Sequence, residues 1–329
     1  MVKKCISILI AAILLVGCLT ACGSDGAGQA TDKDKLKIVA TIFPEYDWVK
    51  AVLGDEAGDA DVTMLLDNGV DLHSYQPTAD DILKISNCDM FIYVGGESDA
   101  WVEDALKEAV NKNMVVINLL EVLGDDVKEE EVVEGMQAEE EEEAEGEEEE
   151  VEYDEHVWLS LKNASKLVQK ISEELQKLDA DHADALKKNA DAYIEKLNAL
   201  DKEYQTAVSG ATVKTLLFGD RFPFRYLVND YGLTYYAAFV GCSAETEASF
   251  ETVSFLAKKV DELSLPAVMT IEGADHRIAD TIVQNTKTKD QKILTLDSMQ
   301  ATTAGDVEAG TTYFSVMESN LNVLKEALK

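Results

Sequence analysis

The chain reads as an α/β protein of two lobes, each a mainly parallel sheet wrapped in helices, with one long backbone helix joining them and a cleft between. Three observations predict this. From Lys35 onward, short runs rich in β-branched and aromatic residues alternate with amphipathic helical stretches, the succession that builds parallel sheets. The same alternation begins afresh after residue 211. Between the two series lies an uninterrupted helical pattern of about 26 residues, which at 1.5 Å per residue runs close to 40 Å, long enough to pass along both halves.

Taken in order, residues 36–42 read as a strand, 48–53 as a helix stopped by Gly54, and 61–66 as a second strand. Asp71-Leu72-His73-Ser74-Tyr75-Gln76-Pro77-Thr78 follows as a loop, and Thr78 caps a helix over 79–85. A strand at 90–94, a helix at 100–111 and a strand at 114–119 complete the first series. Ligands of such sheets bind on loops at the carboxyl ends of the strands, and His73 falls on one of them. After an acidic segment at 125–155, residues 162–178 carry Leu167, Ile171, Leu175 and Leu178 at helical spacing. Asp179-Ala180-Asp181 interrupts that helix, and the long one runs over 183–208 and ends at Gly210. The second series predicts strands at 213–218, 235–240, 267–271 and 293–296, with helices at 222–230, 250–263, 277–285 and 313–328. The lobes are therefore drawn as 36–178 and 211–329, with 179–210 as the linking helix.

The amino terminus carries an address. Lys3 and Lys4 precede an apolar stretch at 6–19 that is too short for a comfortable membrane span and reads as a secretory signal. Leu19-Thr20-Ala21-Cys22 resembles a bacterial lipoprotein cleavage site, with Cys22 receiving the lipid and residues 23–35 serving as a tether; Cys18 is a second candidate. The expected location is the outer face of the cell membrane, extracellular or periplasmic, held by the lipid anchor. No later stretch is long and apolar enough to cross a bilayer. Of the five cysteines, only Cys88 and Cys242 remain in the folded part, and Cys88 reads as a buried free thiol rather than half of a disulfide.

The formal net charge is −35. Residues 125–156 hold nineteen carboxylates against one lysine, Lys128, so this segment is expected to stand as a solvated, mobile loop. Such a charge balance argues against nucleic-acid partners and for attraction of cations. A glutamate run is ordinarily a solvated linker; here it also sits where it gathers cations weakly beside a histidine.

Four histidines are present. His182 lies among polar residues at a helix start, the setting of an exposed side chain. His276, after Glu272-Gly273-Ala274-Asp275, is a weak candidate ligand. His73 and His156 stand in matching contexts, each on a loop, each preceded by an acidic residue and followed by an aromatic, Tyr75 or Trp158. Imidazole with carboxylate suits Zn²⁺, and Mn²⁺ if carboxylates dominate. No His-Glu-x-x-His helix, Gly-x-Ser-x-Gly elbow or phosphate-binding glycine loop marks an enzyme. The competing readings are a secreted zinc-dependent hydrolase and an acidic surface adhesin with a structural metal.

Four features stand in a fixed order: the lipoprotein signal, the His73 loop, Tyr93-Val94-Gly95-Gly96-Glu97-Ser98-Asp99-Ala100-Trp101, and an acidic loop running into Glu155-His156-Val157-Trp158-Leu159-Ser160. With Tyr231-Gly232-Leu233 and Leu296-Asp297-Ser298-Met299 after them, this order resembles the zinc- and manganese-binding lipoproteins of bacterial ABC importers, the TroA-like, ZnuA-type family. The resemblance implies a monomeric two-lobed receptor that holds one metal in the cleft and passes it to a membrane permease and its ATPase. Matched motif by motif, it implies His73 and His156 as the first two ligands and Asp297 as a carboxylate ligand. The third ligand position falls on Arg221, whose guanidinium has no lone pair to give a metal. Asp220, Glu272 or Glu245 stands near enough in sequence to replace it; alternatively Arg221 holds Asp297 or an anion and water fills the place. Leu72, Glu155 and Leu161 stand where the family usually has proline, which loosens turns but removes no donor.

Overall fold

The computed structural model describes residues 35–137, 152–243, 247–273 and 275–329. The signal segment with Cys22, the tether up to residue 34, the glutamate run at 138–151 and Glu245 lie outside the described residues.

Strands β1 (Leu36–Ala40), β2 (Ala60–Met64), β3 (Met90–Tyr93) and β4 (Val115–Asn118) form a parallel sheet in the order β2-β1-β3-β4. Ile38 pairs with Val62 on one side and with Met90 on the other. Ile38, Ala40 and Met90, Phe91 and Ile92 are inaccessible to solvent, the near-continuous apolar run expected of strands covered on both faces. Strands β5 (Thr215–Phe222), β6 (Thr234–Val240), β7 (Ala267–Ile271) and β8 (Lys292–Leu296) form a second parallel sheet, β6-β5-β7-β8. Both halves thus use the same strand order, a repeat of architecture that no short-period repeat in the sequence announces.

The long helix spans Ala183–Gly210, 28 residues and about 42 Å at 1.5 Å per residue. It is anchored to the first half where Asn189 Nδ2 donates to the Val52 carbonyl at 3.1 Å. Its other end is anchored to the second half, where the Tyr204 hydroxyl donates to the Met317 carbonyl at 2.6 Å and the Tyr204 ring stacks on Tyr231. The expected linking helix is therefore present and touches both lobes. Helices over Phe250–Leu263 and Arg277–Asn285 have the predicted ends, the first because Ser249 accepts the Thr252 amide as its N-cap.

Several local expectations change: the helix predicted over 48–53 already begins at Phe43, and the one predicted over 100–111 spans Trp101–Lys107. The helix predicted from Phe222 begins at Arg225, because Phe222 still belongs to β5 and Pro223, which has no amide hydrogen, closes the strand. Helices over Leu119–Leu123 and Ala304–Glu308 were not predicted; at five residues each they are too short to show a period, and their caps, Asn118 and Thr303, are the only local sign.

The acidic segment changes most. Its flanks are not loose. Glu130 N–H donates to the Glu152 carbonyl at 2.9 Å, Gln137 N–H donates to the Ala238 carbonyl beside β6 at 2.9 Å, and Lys128 N–H donates to the Tyr226 hydroxyl at 3.1 Å. Arg225 pairs with Glu131 at 2.7 Å and Lys259 with Glu134 at 3.4 Å. Backbone pairing, these cations and the burial of Met136 dock both ends of the segment on the second half, against the repulsion that its composition implies.

Candidate metal centre

Both candidate histidines are held by an aspartate two residues earlier. Asp71 Oδ1 accepts the His73 amide at 3.0 Å and closes the turn Leu72–Ser74, while Leu72 packs fully inside and fixes the turn that lacks proline. Asp154 Oδ1 accepts both the His156 amide at 2.9 Å and its Nδ1 at 3.0 Å. The pattern Asp-x-His, readable at 71–73 and 154–156, is the local signal for this device. It leaves each ring with Nε2 facing inward, and the two Nε2 atoms stand 3.1 Å apart.

Supports on either side fix the rings further. His73 Nδ1 lies 2.7 Å from Ser98 Oγ, and Ser98 N–H donates to Glu155 Oε1 at 2.9 Å. Gly96 makes that approach possible: it has φ +82°, and a Cβ there would stand 2.3 Å from Glu155 Oε1. His156 is followed by the buried Val157–Leu159 turn, where Trp158 Nε1 donates to the Ser298 carbonyl at 2.8 Å and the Trp158 carbonyl accepts the Tyr313 hydroxyl at 2.6 Å.

The third residue of the group comes from the second half. Among the described residues, His73, His156 and Cys242 offer ligand atoms that all lie within 4.8 Å of one another. Cys242 stands two residues beyond the end of β6, and Gly241 between them admits no side chain, since a Cβ would meet His156 Cε1 at 2.9 Å. His73, Ser98, Glu130, Glu155 and Cys242 line a pocket of about 290 Å³ that the docked flanks of the acidic segment border with Glu152 and Tyr153.

The other expected ligands are engaged elsewhere. Arg221 Nη2 donates to Asp71 Oδ2 at 2.6 Å, not to Asp297. Asp220 accepts the Arg221 amide with Oδ1 and the Ile271 amide with Oδ2. Glu272 holds the loop after β8 by accepting Ser298 N–H at 2.6 Å, Ser298 Oγ–H at 2.7 Å and Gln300 N–H at 3.0 Å. Asp297 accepts the Met299 amide at 2.8 Å and is not part of the three-residue group. His276 lines a neighbouring cavity of about 510 Å³ together with Arg221 and Arg277. His182 pairs with Asp179 at 2.7 Å, away from the centre. Cys88 and Cys242 are both free thiols, as the sequence led one to expect. What the sequence reading missed is Cys242, weighed only for a disulfide, together with Ser98 and Asp154 as holders of the rings.

The charges of the two rings are set apart. Burial pushes the His73 imidazole well below its ordinary range, helped by the neighbouring His156 and Arg221 and opposed by Asp71. Burial also works against charge on His156, but the charges of Asp154, Glu155 and Asp71 and the hydrogen bond to Asp154 together oppose it, and the net direction is up. A neutral His73 thus presents a lone pair to a more basic His156, and the 3.1 Å separation suits one shared proton. A metal can take that proton's place. At tetrahedral angles with Zn–N bonds of about 2.0–2.1 Å, two imidazole nitrogens stand about 3.3 Å apart, so the pair needs only a few tenths of an ångström of movement.

Two parallel α/β lobes spanned by one helix, with a pair of histidines where their loops meet, define a two-lobed fold of the kind that holds a ligand between its halves. The chain belongs to the ZnuA family: the family profile described as zinc-uptake complex component A, periplasmic, matches residues 38–327. It is 32% identical over 324 residues to the high-affinity zinc uptake system protein ZnuA of Bacillus subtilis, covering 98% of this chain and 96% of that one. It is 30% identical to the zinc-binding protein AdcA of Streptococcus pyogenes serotype M6 over 91% of its own length, and it spans only 57% of that longer relative. The Zn(II)-bound ZnuA-like domain of Streptococcus pneumoniae AdcA superposes with a TM-score of 0.69 at 32% identity, covering 89% of this chain and 99% of that one. These matches bear out the family resemblance and the two-lobed fold read from the sequence.

Proposed function

We propose that this protein is an extracytoplasmic receptor that captures Zn²⁺ between its lobes, with Mn²⁺ as second choice, and delivers it to the permease and ATPase of an ABC importer. The observation that carries the reading is the His73–His156 pair, two imidazoles with inward-facing Nε2 atoms at a separation close to that of zinc ligands. The relatives named for zinc binding and zinc uptake support it. Cys22 is taken as the lipid anchor and the receptor as a monomer on the outer face of the membrane; among the described residues no helix is long and apolar enough to cross a bilayer. We read the centre as that of a carrier rather than a catalyst, which the zinc-uptake family of the chain supports. The test is competitive titration of the metal-stripped full-length chain with Zn²⁺ and Mn²⁺: one stoichiometric zinc site preferred over manganese supports the reading, and weak multiple binding alone contradicts it.

A further inference from the structure

We propose that Cys242 is a ligand of the bound zinc, entering as a thiolate and completing a two-histidine, one-cysteine set. This rests on the zinc-receptor reading above and deepens it.

The Cys242 sulfur belongs to the same group of facing donor atoms as the two imidazoles, and it reaches them from just beyond β6, whereas both histidines belong to the first half. A metal held by all three would therefore tie the lobes together. Gly241 is part of this design, because any side chain there would strike the His156 ring and keep the loop away. The thiol forms no disulfide and its present partner is the Glu130 carboxylate, while the other free thiol among the described residues, Cys88, is buried just ahead of β3 against Met114 at 3.2 Å.

The other candidate ligands are committed elsewhere. Asp220 and Glu272 spend their carboxylate oxygens on backbone amides, Arg221 is committed to Asp71, and Asp297 stands outside the group. Gln300, 8% exposed, hydrogen-bonds with its side chain to His73 and helps to hold that ring.

In the metal-free chain, burial and the nearby Glu130 and Asp154 keep the Cys242 thiol protonated. On binding, the sulfur–hydrogen bond breaks, the proton passes to solvent and the sulfur electron pair forms the bond to zinc, with no change of oxidation state. A soft thiolate donor favours zinc over manganese, so this ligand makes the site selective.

Co²⁺ is the probe. One equivalent added to the metal-stripped full-length chain should give an intense near-ultraviolet thiolate-to-cobalt charge-transfer band. The band should persist in Cys88→Ser and vanish in Cys242→Ser, and Cys242→Ser should bind zinc at least about 100-fold more weakly. Zinc should also protect Cys242 from iodoacetamide, read by mass spectrometry on the unmutated chain, which decides the matter if the serine variant fails to fold. Stoichiometric zinc binding without the band, without protection and with unchanged affinity in Cys242→Ser would overturn the ligand assignment and leave the zinc receptor standing. Absence of any stoichiometric site in the unmutated chain would overturn both.

Discussion

Arg221 and Asp71, 150 positions apart in the chain, form an ion pair at 2.6 Å that joins the second lobe to the loop carrying His73. The other oxygen of Asp71 caps the His73 amide, so one carboxylate orients the first imidazole and receives the guanidinium. Arg221 is thus a brace across the cleft rather than a failed ligand. Replacing it with alanine should cost about 1–2 kcal/mol of stability, discounted from the fully buried case because both side chains keep some solvent contact. Zinc affinity should change less than about 10-fold. Loss of the zinc site in Arg221→Ala, measured by competition against a chromophoric chelator, would show that the residue has a direct part in binding.

Asp154 should behave as a positioning residue. Its Oδ1 fixes the His156 ring and its tautomer, so Asp154→Asn should weaken zinc binding about 10–100-fold while circular dichroism stays unchanged. An affinity equal to that of the parent chain would mean that packing around Trp158 alone is enough to aim the ring.

The glutamates between 139 and 150 should be dispensable for the tight site. The docked flanks at 127–137 and 152–156 make deletion of the whole acidic segment a poor experiment, because Gln137 pairs beside β6 and Glu130 Oε1 accepts the Cys242 amide at 3.3 Å. Exchanging only the central glutamates for glutamine removes charge and keeps length. One tight zinc equivalent should remain and weaker additional binding should disappear, as read by calorimetry. Loss of the tight site would make the run part of the centre.

Glu45 supplies a pH dependence remote from the metal. It is fully buried, and burial, with the charge of Asp99, raises its carboxyl from 4.5 to about 8, even though Oε2 accepts the Thr41 and Ile42 amides. With the folded value above the unfolded one, the native state holds the proton more tightly. The cost of ionising Glu45 is therefore absent below pH 4.5 and grows as pH rises toward 8, at up to about 1.4 kcal/mol per pH unit. Glu45→Gln keeps an acceptor oxygen and should flatten the loss of stability between pH 5 and pH 8 in denaturant titrations of the metal-free protein. An unchanged pH profile would assign the dependence to other groups.

How far the sequence carried this account follows from the kind of signal each feature leaves. The two parallel sheets and the long helix were legible because periodicity over ten or more residues survives local noise, and Thr78 and Ser249 mark helix starts directly. Helices of five residues leave no period. His73 and His156 were legible as a pair from their matching loops, but nothing near Cys242 in the chain announces it. Its role depends on Gly241 passing the His156 ring, a contact between positions 85 apart that only folding creates. The docking of the acidic flanks was hidden for the same reason: Arg225 and Lys259, which receive Glu131 and Glu134, lie about a hundred residues downstream.

We infer that His73 and His156 together hold the zinc. The most direct test is competitive Zn²⁺ titration of the metal-stripped protein beside the His73→Ala, His156→Ala double variant. The account predicts one tight equivalent in the parent chain, preferred over Mn²⁺, and none in the double variant. A stoichiometric tight site surviving in the double variant would place the metal elsewhere and contradict it.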